Sequence, residues 1–311
     1  MNRLIRFYNE LSIWPKIFIG SLFTSFPIYF AAFLSHSYSK TAGLDQPYSL
    51  LSHIAFFIGF LTLIIFSIRI LSFYNDQFLN DLEEEKSCIR HAFTLCERII
   101  VSNNKELEKI DEKNFHNSIF FTSIQQIEKI IEAAYNTFES SYGSTFYDEK
   151  RIEFEVTFMT KSYIDNLITI PCSANRDGRS PRSMILRKKN PNIYNCTETE
   201  MIYREQKPSI RIIENTCDSK YNYNELYDKQ KNRIKSSIIY PVLSPKNELL
   251  GTIVVHCDKN GFFKNEKEKF WIELLEIFSK RIAIEKMKMD FLFNLTAQGE
   301  ISLKIPKKIF F

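Results

Sequence analysis

Two charge-free stretches mark the first quarter of the chain. Ile17–Ser39 contains no Asp, Glu, Lys or Arg, and Ile17–Leu34 is its apolar core. Gln46–Ile68 is charge-free again, with Ile54–Phe66 almost wholly apolar. A helix of about 18–19 residues is about 28 Å long, close to the ~30 Å hydrocarbon thickness of a bilayer. The pattern predicts two membrane spans within residues 17–74, joined by a polar loop at Lys40–Gln46. Ser21, Thr24, Ser25 and Pro27 interrupt the first span, where they would kink it or line a helix contact. Trp14, Tyr38, Tyr48 and Tyr74 fall near the ends, where amphipathic rings favour the interface. Arg3, Arg6 and Lys16 lie in the tail of residues 1–16, the loop holds only Lys40, and Arg69 and Lys86 follow the second stretch. Positive charge stays inside, so both termini are expected in the cytosol and the chain in the inner (cytoplasmic) membrane as a two-pass protein. A cleaved signal peptide is the competing reading of the first stretch. Its core exceeds the usual length of about 7–15 residues, and a second stretch follows at once.

Past residue 74 the pattern becomes helical. Phe78, Leu82, Glu85, Ile89, Ala92, Cys96 and Ile99 recur at 4-3-4-3-4-3 spacing, flanked by Glu83, Glu84, Lys86, Arg90, Glu97 and Arg98. This is a short heptad seam. It fits a parallel signalling helix that pairs with a second copy, and equally a helix packed on its own domain. Residues 75–114 read as a helical linker closed by the polar run Asn103–Asn114. Phe120, Ile124, Ile127, Ile131, Ala134 and Phe138 repeat the spacing on a further helix, which adds to the expectation of a homodimer or higher homo-oligomer.

Arg151–Thr160 then alternates Ile152, Phe154, Val156 and Phe158 with Glu153, Glu155, Thr157 and Met159, the period of a strand. Further strands are predicted at Ile164–Pro171, Ser183–Arg187, Ile210–Glu214, Ser236–Leu243 and Leu249–Cys257. The turn Ser244-Pro245-Lys246-Asn247 makes the last two a hairpin. A closing helix runs over Asn265–Met289, with Phe270, Leu274, Ile277, Phe278 and Ile282 on its apolar face. Residues 115–290 thus predict an α+β domain, an antiparallel sheet with flanking helices, followed by a tail at 291–311.

Composition acts mainly by exclusion. The chain has 8 Gly in 311 residues, none closer than ten apart, so a nucleotide P-loop, a dinucleotide fingerprint, a kinase glycine loop and a glycine-pair helix motif are all absent. The net charge of +4 does not mark a nucleic-acid binder. The cysteines (Cys88, Cys96, Cys172, Cys196, Cys217, Cys257) contain no C-x-x-C, and the histidines (His36, His53, His91, His116, His256) contain no H-E-x-x-H. Neither a metal nor a cofactor is expected, and the thiols read as free in a reducing compartment. No G-x-S-x-G occurs, no catalytic residue stands out, and the chain is not expected to be an enzyme.

The sharpest local charge lies between Arg176 and Lys189. Arg176, Arg179, Arg182, Arg187, Lys188 and Lys189 face a single acid, Asp177, in a stretch punctuated by Pro171, Gly178, Pro181 and Pro191. Arg forks match phosphate oxygens. Arg176, Arg179 and Arg182 are therefore candidate contacts for a small anionic ligand such as a nucleotide. Arg204, Lys207, Tyr221, Tyr223 and Tyr227 are further candidates, because tyrosine rings can stack on a base. A solvated basic loop, or one resting on anionic lipid heads, is the competing reading.

The run Ser236-Ser237-Ile238-Ile239-Tyr240-Pro241-Val242, then Leu249-Leu250-Gly251-Thr252-Ile253-Val254-Val255, then Gly261-Phe262-Phe263 and the closing helix, resembles the C-terminal half of a GAF domain. The resemblance extends over about Phe115–Met289, and its middle carries no motif. It implies a sensory pocket between the sheet and a lid of loops and short helices, and it transfers no catalytic residue. Asp258-Lys259, Phe262-Phe263 and Glu266 match in part the signature of cyclic-nucleotide-binding members, though packing and helix starting use the same residues. His256-Cys257 reverses the Cys-His order of tetrapyrrole-binding members, so core packing is the better reading there.

With residues 290–311 too few for an output domain, the expected function is a membrane-anchored cytosolic ligand sensor whose output passes to its own spans. A small-molecule- or nucleotide-triggered membrane effector in bacterial anti-phage defence is one version, by architectural analogy. The alternative is a ligand-free interaction module that anchors a partner protein at the inner membrane. The lipid bilayer, a small anionic ligand, a second copy and a protein partner are the expected associations, and specific nucleic-acid binding is not.

Overall fold

The computed structural model describes residues 48–108, 115–143, 146–147, 150–163, 165–178, 197–205, 207–221, 223 and 230–303. The chain divides into two compact units, Met1–Glu84 and Glu85–Phe311. The first unit is represented by the opening part of helix α1, whose full bounds are Tyr48–Leu107. Ile68, Phe73, Tyr74 and Leu79 are exposed there.

Among the described residues no helix is long and apolar enough to cross a membrane. This corrects the expected two-pass location in the inner membrane. The charge-free stretch Gln46–Ile68 does not form a separate span. From Tyr48 onward it belongs to a longer helix in which Arg69, Asp76, Asp81 and Glu83 follow without a break. The stretch Ile17–Ser39, the basic tail and the loop at Lys40–Gln46 lie outside the described residues.

The second unit holds the end of α1, α2 (Phe115–Tyr142) and α5 (Glu268–Ala297) on one face of an antiparallel sheet. Two short strands, β1 (Phe146–Tyr147) and β2 (Lys150–Arg151), pair with each other. The main sheet comprises β3 (Phe154–Lys161), β4 (Ile168–Asn175), β5 (Arg211–Ile213), β6 (Ser236–Leu243) and β7 (Leu249–Cys257), in the order β4-β3-β7-β6-β5. Helix α3 (Glu198–Arg204) and the turn α4 (Gln230–Arg233) connect them. The last hairpin matches the predicted bounds at both ends. β4 lies four residues later than predicted, because Asp165-Asn166 makes a turn: Asn166 takes φ 57° and the Asp165 carboxylate accepts from Leu167 N at 3.1 Å. The strand candidate Ser183–Arg187 lies outside the described residues.

Alternation sorts the strands onto two cores. Phe154, Val156, Phe158, Cys172, Ile238, Val242, Ile253, Val255 and Cys257 face the helices. Met159, Ile168, Ile170, Ile213, Ile239 and Val254 form a smaller cluster on the opposite, distal face, covered by Ile202 of α3. One extra residue in β4 opposite Met159, at Ile170-Pro171, shifts the register and places Ile168 and Ile170 distally while Cys172 faces the helices.

On the helix side, Phe138 stacks on Trp271 at 6.1 Å and meets Phe154 and Phe263, both within the same buried cluster. Burying such a ring stabilises by about 1.5–3 kcal/mol. Gly251 is needed for close packing: a Cβ there would sit 2.6 Å from both Met159 O and the Phe158 ring. Pro241 fits because β5 pairs with β6 only as far as Ile239, so its missing N–H leaves no gap.

The α2 stripe and the later part of the α1 stripe are buried inside the second unit. Ala92, Cys96 and Ile99 of α1 and all six stripe residues of α2 are buried in the helix-side core. The argument for a second copy therefore does not rest on the α2 stripe. Helix α5 runs eight residues past the predicted end, since Met289 and Leu292 continue its buried face. It stops at Gly299, whose φ of 77° lets Gly299 N and Glu300 N reach back to Thr296 O and Leu295 O.

Candidate functional site

Cross-strand pairing sets a polar row on the distal face. Glu155 of β3 lies opposite His256 of β7, which lies opposite Ser237 of β6. Their odd–even positions put all three on the side away from the helices. Ser237 Oγ and His256 Nδ1 are 2.7 Å apart. Arg233, carried by the turn α4, donates to the Glu155 carboxylate at 3.2 Å. Beside Glu155 on the same face, Thr157 is 2% exposed, and among the described residues its hydroxyl has no hydrogen-bond partner. A buried hydroxyl without a partner costs about 1–3 kcal/mol.

Electrostatics marks this row. Burial, then the neighbouring Arg233 charge, pushes His256 down to about 4, so the imidazole is neutral at neutral pH. Burial raises Glu155 above the ordinary carboxylate range, and Arg233 opposes that rise. A cavity of about 30 Å³ opens here, with Glu153, Glu155, Asp177 and Asp258 against Arg176 and Arg233 on its walls. It has room for about one water molecule.

Helix α3 is strapped across the same face. Thr197 caps it by accepting from Glu200 N. Arg211 of β5 reaches Glu198 at 3.1 Å and also Glu205, at the two ends of α3. Thr199 Oγ1 meets Thr252 Oγ1 at 2.9 Å, and Ile202 is fully buried beneath. Tyr203 bonds to Thr160 and Lys161 of β3, and burial raises its hydroxyl to about 12. The resemblance implied a lid of loops and short helices, and α3 is a short helix packed on this face.

The residues expected to bind a ligand are only partly brought together. Tyr221 and Tyr223 pack against the distal cluster, and the Tyr223 hydroxyl accepts from Gln230 Nε2 at 3.1 Å. Arg176 lines the small cavity, but its guanidinium is committed to Glu139 of α2 at 2.6 Å and to Ile152 O at 3.2 Å. Arg204 is exposed and pairs with Glu200, one turn back on α3. Lys207 is exposed. Arg179, Arg182 and Tyr227 lie outside the described residues.

The reading of His256-Cys257 as core holds for Cys257 alone, which is 1% exposed on the helix side. His256 faces the other way, as the period of a strand requires. The partial nucleotide signature serves architecture: Asp258 Oδ1 accepts from Glu153 N at 2.8 Å, and Phe262 and Phe263 pack on Trp271. Glu155, Ser237 and Arg233 carried no motif. The two strands' alternation was their signal, because it puts polar side chains on a face that also holds Met159, Ile239 and Val254. Among the described residues no group of His, Cys, Asp or Glu could hold a metal ion.

No family model matches the chain. No curated protein matches it either. Among solved structures, the GAF domain of the Acinetobacter phosphoenolpyruvate-protein phosphotransferase is similar over 62% of this chain and 100% of its own, at 12% identity and a TM-score of 0.35. A structure described as that of the GAF domain is similar over 55% and 88%, at 15% identity and a TM-score of 0.34. The free methionine-R-sulfoxide reductase of Neisseria meningitidis, solved with its substrate, is similar over 57% and 94%, at 11% identity and a TM-score of 0.34. Likeness at this level assigns neither a ligand nor an activity to this chain.

Proposed function

We propose that the second unit is a sensor that binds a small polar molecule on its distal face, at the row Glu155–His256–Ser237 beneath Arg233. The supporting observation is the row itself: ionisable groups shifted by burial, beside an unpaired Thr157 hydroxyl, on a face otherwise built from apolar side chains. Such clusters are costly to maintain and mark binding sites more often than plain cores. The cavity at the row holds about one water, so a larger ligand must displace Arg233 from Glu155; it would offer donors to Glu155 and acceptors to Arg233, and so be amphoteric rather than purely anionic.

Occupancy would pass to the helices through β3. Tyr203 of the lid bonds to Thr160 and Lys161. Two residues on, Tyr163 donates to Asp290 at 2.5 Å and accepts from Lys286 at 2.8 Å, both on α5. The membrane-effector version of sensing is not carried forward, because it depends on spans that the described helices do not provide.

The test is native mass spectrometry of the purified chain for a copurified small molecule, followed by calorimetric titration. Glu155→Gln and Arg233→Ala should each weaken binding by about tenfold or more, the loss of one charged hydrogen bond. A chain that carries no small molecule, and that no polar metabolite stabilises against heat, refutes the reading.

A further inference from the structure

On the helix side of the sheet, a chamber of about 30 Å³ lies between β3, β4, α2 and α5. Ile127 of α2, Phe158 of β3 and Met289 of α5 give it apolar walls, and Lys286 and Tyr163 also line it. Glu128 on its wall is exposed and Pro171 is half-buried, which marks the side that solvent reaches. The space takes about one methyl-sized group.

Lys286 is the chemically distinctive part of this wall. It is 5% exposed. Its Nζ lies 2.8 Å from the Tyr163 hydroxyl and 4.2 Å from the centre of the Tyr163 ring, and it pairs with Asp290 one turn further along α5. Burial lowers the amine below the ordinary lysine range, against the opposing pull of Asp290. More of such a lysine is free amine near neutral pH, and the free amine is the nucleophile. The other nucleophiles of the chamber are held in their protonated forms. Burial, then the Asp290 charge, keeps the Tyr163 phenol protonated, and burial, then Glu128, does the same for the Cys172 thiol.

We propose that Lys286 captures a short aliphatic aldehyde, no larger than two carbons, as an imine, with the methyl group of the aldehyde in the chamber. The ammonium first passes a proton to Asp290. The amine nitrogen then bonds to the carbonyl carbon, and the carbonyl π bond breaks. The oxygen collects the two protons that the nitrogen sheds, relayed by Asp290, and leaves as water. One ammonium and one aldehyde give one iminium and one water, so charge is conserved and no oxidant or reductant enters. An ammonium has three N–H groups and the iminium has one. The iminium cannot serve Asp290 and Tyr163 together, so capture releases the tie from the end of β3 to α5. No step uses Glu155, His256 or Arg233.

The experiment treats the full chain with acetaldehyde and sodium cyanoborohydride at about pH 6, where exposed lysines are almost wholly ammonium. Hydride converts each imine to a stable ethyl-lysine, which peptide mass spectrometry locates and times. Lys286 should be ethylated at least about tenfold faster than the exposed Lys269 and Lys280, and the preference should vanish in concentrated urea. Pivalaldehyde, whose branched group exceeds the chamber, should show no preference for Lys286. Ile127→Phe, which fills the chamber, should slow Lys286 by about tenfold and leave Lys280 unchanged. Lys286 reacting no faster than Lys269 and Lys280 in the folded chain overturns the proposal. So does an equal preference with pivalaldehyde, or a preference that survives in folded Ile127→Phe. If that variant lacks native circular dichroism, the two aldehydes on the unaltered chain decide alone. None of these measurements reads the distal face, so either proposal can fail without the other.

Discussion

His256 should make the stability of the second unit depend on pH in a defined direction. Its native value is about 4 against an ordinary 6.5, because burial and Arg233 disfavour the imidazolium. The folded chain therefore binds fewer protons at this residue than the unfolded chain. The stability it contributes is full above about pH 6.5 and is lost as the pH falls toward about 4. One pKa unit corresponds to about 1.4 kcal/mol, and integrating both titrations from about pH 7.5 to pH 5 gives a loss of about 2 kcal/mol. Glu155, raised by burial, acts in the opposite sense, so the useful quantity is a difference between two proteins that share it. The comparison is wild type against His256→Asn, which keeps a polar atom for Ser237. Urea unfolding followed by the fluorescence of the buried Trp271 gives both stabilities at each pH. The stability advantage of wild type should shrink by about 2 kcal/mol across that range. A change below about 0.5 kcal/mol, or an imidazole that protonates near pH 6.5 by NMR, refutes the burial of His256 against Arg233.

Three further substitutions test other parts of the structure by the same unfolding assay. Gly251→Ala should destabilise by about 1–3 kcal/mol, because its Cβ meets backbone and ring at 2.6 Å; a neutral result means that β3 and β7 lie further apart. Thr157→Val should be neutral or stabilise the ligand-free chain by up to about 1 kcal/mol, since it removes an unpaired hydroxyl, and should weaken ligand binding. Lys286→Met should cost about 1–3 kcal/mol, because it strips Tyr163 and Asp290 of their shared partner; Asp290 keeps contact with water, which limits the loss.

The hairpin β6–β7 was legible because its alternation is long and its turn residues are explicit. β4 was misplaced because Ile164, Leu167 and Ile168 look continuous, while Asp165-Asn166 between them is a stronger turn former than the apolar residues are strand formers. The end of α5 was placed eight residues early, at Met289, although Gly299 follows; Lys286 and Asp290 interrupt the apolar pattern around that point. In the fold they pair with Tyr163 and lie over β3. The seam of α1 was seen correctly as a stripe, but periodicity cannot say whether a stripe meets its own domain or another copy. At the site, tyrosines near the lid were found by position. The row Glu155–His256–Ser237 was hidden because its members are far apart in the chain, and only strand register assembles them. Arg176 drew attention as free positive charge, yet Glu139, thirty-seven residues earlier, neutralises it.

Pro171 sits in β4, the outermost strand on its side among the described residues, at the place where that strand carries its extra residue. A strand with an open edge is exposed to its own copies, which could stack edge to edge into polymers. Proline offers no N–H at that point, and the bulge bends the rail on which a second copy would run. Only the stretch from Cys172 to Asn175 is left straight. The same irregularity that fixes which side chains face which core thus also interrupts the regular edge that a long strand-to-strand pairing would follow.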